Sequence, residues 1–109
     1  MPSISLVLPA YNEADNIEPL IAEAVPALEA NAEDYEIIVV DDGSKDETAA
    51  VTRRVMEANP RVRLVQHLKN QGFGAAVFSG FTHAVKDWIF YTDADRQFVL
   101  SELARFVPL

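Results

Sequence analysis

Two aspartates that stand one residue apart carry the sharpest chemical signal in the sequence. Asp93 and Asp95 follow the apolar run 88–91, and Gln97 comes two residues later. Two carboxylates about 4 Å apart repel by ~4 kcal/mol at an effective dielectric constant of about 20, so a fold that brings them together usually supplies a cation. Carboxylate and amide oxygens suit Mg²⁺ or Mn²⁺ rather than Zn²⁺. The spacing predicts a metal site of Asp93, Asp95 and Gln97; a surface turn, or pairing of Arg96 with one acid, is the alternative.

A second pair of acids, Asp41 and Asp42, ends another apolar run and is followed by Gly-Ser. Asp-Gly-Ser is common in turns and at helix N-termini, which supports a structural role. A carboxylate at this place could equally accept hydrogen bonds from ribose hydroxyls or a base N–H. Tyr11 and Glu13 leave the same alternatives open, because an aromatic face beside an acceptor could hold a nucleobase or simply cap the loop.

The glycines and histidines carry weaker signals. Gly72 and Gly74 lack the third glycine of a dinucleotide fingerprint, and the sequence has no Gly-Lys-Ser/Thr of a P-loop. A tight turn into a closely packed helix is favoured over phosphate binding. His67 and His83 have no partner at metal-ligand spacing, so we interpret them as surface or packing residues. The sequence contains no cysteine and no Gly-x-Ser-x-Gly motif, so it lacks these two common sources of a catalytic nucleophile.

Alternating strands and helices must position these clusters. Four runs rich in β-branched and aromatic residues predict strands, with helical periodicity between them: 3–9, 35–42, 61–66 and 88–91. This order, with right-handed crossovers, predicts a three-layer α/β/α, Rossmann-like fold with a mostly parallel sheet. Ligands in such sheets bind beyond the carboxyl ends of the strands, where all the polar clusters fall. The run 61–66 is expected at or near a sheet edge.

Local signals predict how the helices begin and pack. Asn16 is expected to cap the first helix, and Pro26 to kink or break it. The segment 44–47 is typical of a capping box for the second helix, and Ser101 could cap a short terminal helix. In the third helix a ridge of small residues should let the helix lie close to the sheet: Ala76, Gly80 and Ala84.

Composition limits the class of protein. The chain has 109 residues, 50% of them apolar, which suffices for one domain, 1–109, with a single core. No stretch approaches the ~18 apolar residues of a membrane span, and the N-terminus lacks signal-peptide features. The absence of cysteine is compatible with a cytoplasmic protein. A net charge of −8 argues against nucleic-acid binding.

Four motifs together resemble the family 2 glycosyltransferases of GT-A fold, above all the dolichol- and polyprenol-phosphate sugar transferases. Each motif alone is weak, but the four follow the family's order and spacing over nearly the whole chain. They are Pro9-Ala10-Tyr11-Asn12-Glu13, Val39-Val40-Asp41-Asp42-Gly43-Ser44-x-Asp46-x-Thr48, Asn70-x-Gly72-x-Gly74-x-Ala76 and Asp93-Ala94-Asp95-x-Gln97.

The resemblance implies the nucleotide-binding half of an enzyme that transfers a sugar, with inversion, from a GDP- or UDP-sugar. It implies that the base and ribose are surrounded by Pro9, Tyr11, Glu13, Val40 and Asp42. The diphosphate and its Mg²⁺ or Mn²⁺ would be met by Asp93, Ala94, Asp95 and Gln97. A prepositioned cation would stabilise the charge that grows on the leaving diphosphate. A polyprenyl or dolichyl phosphate at the cytoplasmic face of a membrane is the expected acceptor; a noncatalytic nucleotide-binding module is the alternative.

The sequence departs from the family pattern at a few positions and in length. Phe73 stands where relatives often have a basic residue, and Arg96 and 98–99 differ from the usual residues around the metal motif, so the resemblance does not fix the substrate. Family members carry roughly as much chain again for the acceptor side, including the general base. A fragment without that half would expose a sheet edge, and a homodimer through this edge is expected.

Overall fold

A parallel β-sheet covered by helices on both faces forms the protein, as the computed structural model shows for residues 2–92. The elements alternate along the chain: β1 (Ser3–Ala10), α1 (Ala14–Asn31), β2 (Asp34–Asp42), α2 (Thr48–Ala58), β3 (Val62–His67), α3 (Phe73–His83) and β4 (Trp88–Tyr91). The strand order is β3-β2-β1-β4, and each neighbouring pair is parallel. The predicted three-layer α/β/α fold is confirmed.

Several predicted features lie outside the described residues. These are the metal motif, with Asp93, Ala94, Asp95 and Gln97, and the short helix that Ser101 was expected to cap. They stay predictions. Among the helices of residues 2–92, none combines the length and apolar character that a membrane-spanning helix needs.

The central strands β1 and β2 are buried on both faces. Successive side chains of a strand point to opposite faces, so each strand supplies two cores. The core under α1 and α2 includes Ile4, Leu6, Leu8, Ile37 and Val39. The core under α3 is made by Val7, Ile38, Val40 and Ala76. The apolar run of β2 is therefore correctly interpreted as a strand covered on both sides.

Small residues let α3 lie against the sheet, as predicted. A Cβ atom added to Gly80 would lie 2.1 Å from Val7 Cγ1, which leaves room only for hydrogen. Ala76 is fully buried at the same interface, and Ala84 packs against the same cluster. The close approach holds the N-terminal end of α3 above the carboxyl ends of β1 and β2.

The edge position of β3 is confirmed, since β3 pairs only with β2 in the described sheet. Its register is Ile37 opposite Val62 at one end and Asp42 opposite His67 at the other. The strand thus continues one residue beyond the predicted run 61–66. This extra residue brings His67 to the carboxyl edge of the sheet.

The predicted start of the first helix was wrong. α1 begins at Ala14 with Glu13 at the N-cap position, and Asn16 lies inside the first turn, where its side-chain amide donates to Glu13 Oε2 at 3.1 Å. Hydrogen bonds from the N–H groups of Glu13 and Ala14 to side chains at or just before the start of α2 fix the earlier start. The helix is also not broken at Pro26, because buried residues on both sides of it keep the packed face continuous to Asn31.

The capping box predicted over 44–47 was wrong as well. α2 begins at Thr48, and Glu47 at its N-cap position makes no side-chain capping bond. Ser44 Oγ instead accepts from the backbone N–H of Asn12 at 2.9 Å. Asp46 Oδ1 accepts from the N–H of Thr48 at 2.9 Å. Ser44, which was expected to cap the helix, instead joins the loop after β2 to the loop after β1.

Ion pairs connect the amino ends of the strands. Asp34, the first residue of β2, accepts from Lys86 Nζ at 2.6 Å and from the guanidinium of Arg61. Hydrogen bonds from Lys86 and then Arg61 lower the pKa of Asp34 to about 2. Arg61 also lies over the ring of Tyr35, with Cζ 4.8 Å from the ring centroid.

Glu36 is the buried acid of this amino edge. Its Oε2 accepts from Ser5 Oγ at 2.6 Å and from the N–H of Val85 at 2.8 Å, and its Oε1 accepts from Arg63 Nη1 at 2.6 Å. Burial raises the pKa of Glu36, but these donors lower it more, so the net shift is downward. The carboxylate therefore ties β1, β3 and the segment before β4 to β2.

Candidate functional site

Three loops meet beyond the carboxyl ends of the strands, as predicted. They follow β1, β2 and β3. The N–H of Asn12 donates to Ser44 between the first two loops, and the N–H of Gly72 donates to Asp42 between the last two. The bonded residues are about 30 positions apart in the sequence. Because the strands are parallel and in register, these loops share one edge. The candidate site is this edge.

Asp42 accepts hydrogen bonds from several residues at this edge. The residue is 3% exposed. Its Oδ1 lies 2.7 Å from His67 Nδ1 and accepts from the N–H of Gln71 at 2.9 Å. Its Oδ2 accepts from the N–H of Gly72 at 2.8 Å and from Asn70 Nδ2 at 3.2 Å. A carboxylate has about four acceptor positions, and all four are used.

The electrostatics of Asp42 favour the ionised form. Burial raises the pKa of its carboxyl, but the hydrogen bonds from His67 and from the N–H groups of Gln71 and Gly72 lower it more, so the pKa is below its usual value. In the described residues no lysine or arginine forms an ion pair with this acid. Asp42 is thus a buried carboxylate held by backbone N–H groups, an amide and an imidazole.

His67 is the residue that reasoning from the sequence missed. Its side chain is 10% exposed, and its second ring nitrogen, Nε2, lies 2.7 Å from Ser79 Oγ on α3. The signal was available in principle, because a strand ending at 67 rather than 66 would have put this histidine opposite Asp42. His67 was interpreted as a surface or packing residue; the structure shows that it is mostly buried, and its hydrogen bond with Asp42 was not predicted.

Asp41 lies on the other face of β2 and is buried too, at 2% exposure. Its Oδ1 accepts from the N–H of Ser44 at 3.0 Å, which closes the turn after the strand. The two adjacent acids therefore serve different faces of the sheet. Asp41 organises the loop toward α2, and Asp42 organises the loop before α3.

Gly43 allows the loops after β2 and β3 to touch. Its φ of 73° is in the left-handed region, and a Cβ there would lie 2.3 Å from the backbone N of Asn70. Gly72, with a φ of 103°, makes the turn into α3 while its N–H reaches Asp42. The predicted tight turn at Gly72 and Gly74 agrees with this geometry.

Reciprocal hydrogen bonds join the first loop to the second. Asn12 accepts from the N–H of Lys45 at 2.8 Å through Oδ1, while its own N–H donates to Ser44 at 2.9 Å. Asn12 has a φ of 55°, a conformation that asparagine tolerates better than most residues. The two loops are held as one unit.

Glu13, a predicted base- or ribose-binding residue, is part of the same unit. Its N–H donates to Thr48 Oγ1 at 2.9 Å, and the next N–H, of Ala14, donates to Asp46 Oδ2 at 3.2 Å. Thr48 is fully buried and also hydrogen-bonds to Asp46. The backbone of Glu13 thus caps the loop, while its carboxylate contacts only Asn16 among the described residues.

The other predicted nucleotide-binding residues differ in access. Pro9 and Val40 are opposite each other in the β1–β2 pair and are buried within the sheet. Tyr11, in the loop after β1, is 41% exposed. The structure brings Pro9, Tyr11, Glu13, Val40 and Asp42 to one edge. The metal ligands predicted at 93–97 follow β4, which is paired with β1 on the other side.

In the described part of the chain, no group of three histidine or acidic side chains is placed to hold a metal ion. The metal prediction depends on Asp93, Asp95 and Gln97, which lie outside that part, and it stays a prediction.

The family can now be assigned. Residues 5–109 match the model of glycosyl transferase family 2. The chain belongs to this family. The resemblance inferred from the four motifs is confirmed for the family as a whole.

Curated relatives of this family 2 chain include lipid-phosphate sugar transferases. The chain is 43% identical over 96 residues to dolichyl-phosphate beta-glucosyltransferase of Trichomonas vaginalis, covering 84% of the chain and 28% of the relative. It is 36% identical over 106 residues to undecaprenyl-phosphate 4-deoxy-4-formamido-L-arabinose transferase of Edwardsiella ictaluri, covering 95% and 32%. The chain thus spans about a third of the length of these relatives.

Solved structures agree with the family assignment. The mannosyltransferase of Pyrobaculum calidifontis, in complex with GDP-Man and Mn²⁺, superposes with a TM-score of 0.82 at 29% identity, over 94% of the chain and 30% of that structure. Glucosyl-3-phosphoglycerate synthase of Mycobacterium tuberculosis, in complex with Mn²⁺, UDP and phosphoglyceric acid, gives 0.69 at 28% identity, over 86% and 33%. The fold is that of the amino-terminal part of these GT-A enzymes.

Proposed function

We propose that the chain forms the donor site of a glycosyltransferase that takes a sugar from a GDP- or UDP-sugar. The observation that carries the proposal is the ordered carboxyl edge, where N–H groups of the loops and the imidazole of His67 hold the Asp42 carboxylate in place. Such an edge offers fixed hydrogen-bond acceptors to an uncharged base and ribose. Support comes from relatives of the same family, two of whose structures contain GDP-Man or UDP with Mn²⁺.

The base and ribose would lie over the first two loops. Tyr11 offers an exposed aromatic face for the base, while Pro9 and Val40, which are buried in β1 and β2, would support the backbone beneath it. A ribose hydroxyl or base N–H that binds Asp42 must replace one of its four donors. The side chain of Asn70 is the candidate, because its bond is the longest at 3.2 Å and the residue is exposed. Glu13 adds a second acceptor beside this position.

The diphosphate would extend toward the segment after β4. There Asp93, Asp95 and Gln97 would hold Mg²⁺ or Mn²⁺, with Ala94 beside the diphosphate. A bound cation supplies positive charge that stabilises the leaving nucleoside diphosphate. The acidic ligands would hold this ion in place, and the acceptor oxygen would attack the sugar from the opposite side, which inverts the anomeric carbon.

A polyprenyl or dolichyl phosphate is the proposed acceptor, because two curated relatives are named for such lipids. A phosphate acceptor is already an anion and needs positioning more than deprotonation. The reaction would then take place at the cytoplasmic face of a membrane, with the chain in the cytoplasm.

A homodimer through the edge of β4 is a further proposal. In the sheet of residues 2–92, β4 lies at an edge, where Trp88, Ile89 and Tyr91 are 40%, 42% and 54% exposed, and an apolar edge strand favours pairing between copies. Light scattering over a wide range of concentrations tests the proposal. Ile89→Lys should lower the apparent mass, whereas Leu68→Lys, at an exposed loop position, should not; a monomer at all concentrations contradicts it.

Sugar transfer tests the proposed enzyme function. The chain is incubated with GDP-mannose or UDP-glucose, a polyprenyl phosphate and Mn²⁺. We expect glycolipid product that disappears in Asp95→Ala and on addition of EDTA, but persists in Asp15→Ala, which removes an exposed acid of α1. Transfer that survives Asp95→Ala contradicts the metal site. Nucleotide binding without transfer favours a noncatalytic nucleotide-binding module instead.

A further inference from the structure

His67 connects two groups that the sheet alone would leave separate. Its ring nitrogens lie 2.7 Å from Asp42 Oδ1 and 2.7 Å from Ser79 Oγ. The side chains of His67 and Asp42 are only 10% and 4% exposed. One imidazole at the end of β3 therefore links the acid at the end of β2 to helix α3.

The chemistry of the contact with Asp42 fixes the direction of that hydrogen bond. An ionised carboxylate can only accept, so Nδ1 of His67 carries the hydrogen and donates it to Asp42. In the neutral ring, Nε2 is then the acceptor for the hydroxyl of Ser79. The ring is oriented from both sides, and it in turn orients Oδ1.

The hydrogen bonds of Asp42, His67, Ser79 and Gly72 form a closed loop of contacts, which we call the circuit. Asp42 Oδ2 accepts from the N–H of Gly72, which is the residue before α3. Ser79 lies two turns further along the same helix and returns to Asp42 through His67. The N–H of Gln71 joins the circuit at Oδ1, at 2.9 Å. Movement of the imidazole would therefore move the carboxylate, the loop and the start of α3 together.

We propose that His67 is a positioning residue for nucleotide recognition, because it sets the direction of the Asp42 carboxylate that meets the base or ribose. The inference rests on the proposed donor site and adds a residue to it. His67 acts through Asp42 and does not touch the nucleotide. Its contribution is preorganisation, since an acceptor already fixed in place loses less entropy on binding.

Substitutions at one position can separate the two ring contacts. In His67→Asn the amide nitrogen stands near the place of Nδ1, so the donor to Asp42 is kept and the contact with Ser79 is lost. In His67→Gln the amide nitrogen stands near the place of Nε2, so the reverse holds. His67→Leu loses both contacts at similar volume, and Ser79→Ala removes only the helix contact.

Two measurements on the full chain test the inference. Calorimetry with GDP and UDP gives the Kd of each variant, and amide hydrogen exchange at Gln71 and Gly72 reports on the loop without nucleotide. We expect Kd to rise about tenfold in His67→Gln and His67→Leu, and less than about threefold in His67→Asn. The two amides should exchange faster in the same two variants.

Rescue by asparagine distinguishes positioning from stability, because all three His67 variants lose packing. Equal values of Kd in every variant, or equal losses in His67→Asn and His67→Leu, would overturn the inference. If the unmodified chain binds neither nucleotide, the proposed function fails on its own, and hydrogen exchange alone then decides whether His67 positions the loop: unchanged exchange in His67→Leu would also overturn it.

Discussion

Both ends of the sheet contain a buried acid, but the groups that hydrogen-bond to it differ. At the amino end, Glu36 receives a guanidinium from Arg63, and the neighbouring Asp34 binds Lys86 and Arg61. At the carboxyl end, Asp42 receives backbone N–H groups, an amide and an imidazole. Among the described residues, lysine and arginine pair with the acids at the amino end but not with Asp42 at the carboxyl end.

This difference distinguishes a structural network from the proposed binding site. A carboxylate paired with arginine joins strands and presents no charge to a ligand. A carboxylate fixed by N–H donors that do not come from lysine or arginine is an oriented acceptor, which suits recognition of hydroxyl and N–H groups. Substitutions at the amino end should therefore change stability alone, and those at the carboxyl end should change stability and nucleotide affinity.

The largest effect is expected for Asp42→Asn. The amide replaces one acceptor oxygen of a buried carboxylate with a donor and leaves part-buried N–H groups without their acceptor, so the free energy of unfolding should fall by about 3–5 kcal/mol. Nucleotide affinity should fall at least about tenfold in the molecules that stay folded. Urea unfolding and calorimetry measure the two quantities.

Glu36→Gln is the matched control at the amino end. It also disturbs a buried acid with several donors, and its unfolding free energy should fall by about 1–3 kcal/mol. Its nucleotide Kd should stay within about twofold of the unmodified chain. A comparable loss of affinity in both variants would break the contrast between the two ends.

An intermediate effect is expected where the loops of the carboxyl edge touch. Gly43→Ala introduces a Cβ at positive φ and 2.3 Å from the backbone of Asn70, which should cost about 2–3 kcal/mol. Gly74→Ala is the control, because an added Cβ there meets no atom within 4 Å and the residue is helical. It should raise stability by up to about 1 kcal/mol. Equal melting temperatures for the two variants would contradict the packing described.

The smallest effect concerns pH at the amino end. The pKa of Glu36 is below its usual value of 4.5, so the stability it contributes is present above about that pH and is lost as pH falls through its folded-state pKa. Unfolding free energy should thus depend less on acidic pH in Glu36→Gln than in the unmodified chain. Glu18→Gln, at an exposed position of α1, should leave the pH dependence unchanged.

Local patterns in the sequence were enough to predict the strands and the face they bury. The apolar runs that became β1 and β2, and the small-residue ridge around Gly80, depend only on near neighbours in the chain. The meeting of the polar loops at one edge could also be predicted, because parallel strands place their carboxyl ends together.

What sequence reasoning missed depends on contacts between distant residues. Ser44 was expected to cap its own helix but bonds to Asn12, 32 residues away. His67 looked isolated because its partner Asp42 lies 25 residues earlier and on another strand. Such pairs depend on strand register, and a shift of one residue in the predicted end of β3 was enough to hide the circuit.

Calorimetric titration of the unmodified chain with GDP and with UDP, each with and without Mn²⁺, tests the central claim most directly. We predict saturable binding of at least one of the two nucleotides, with a lower Kd when Mn²⁺ is present. Absence of binding to both nucleotides under both conditions would contradict the claim that the carboxyl edge of this sheet is a nucleotide site.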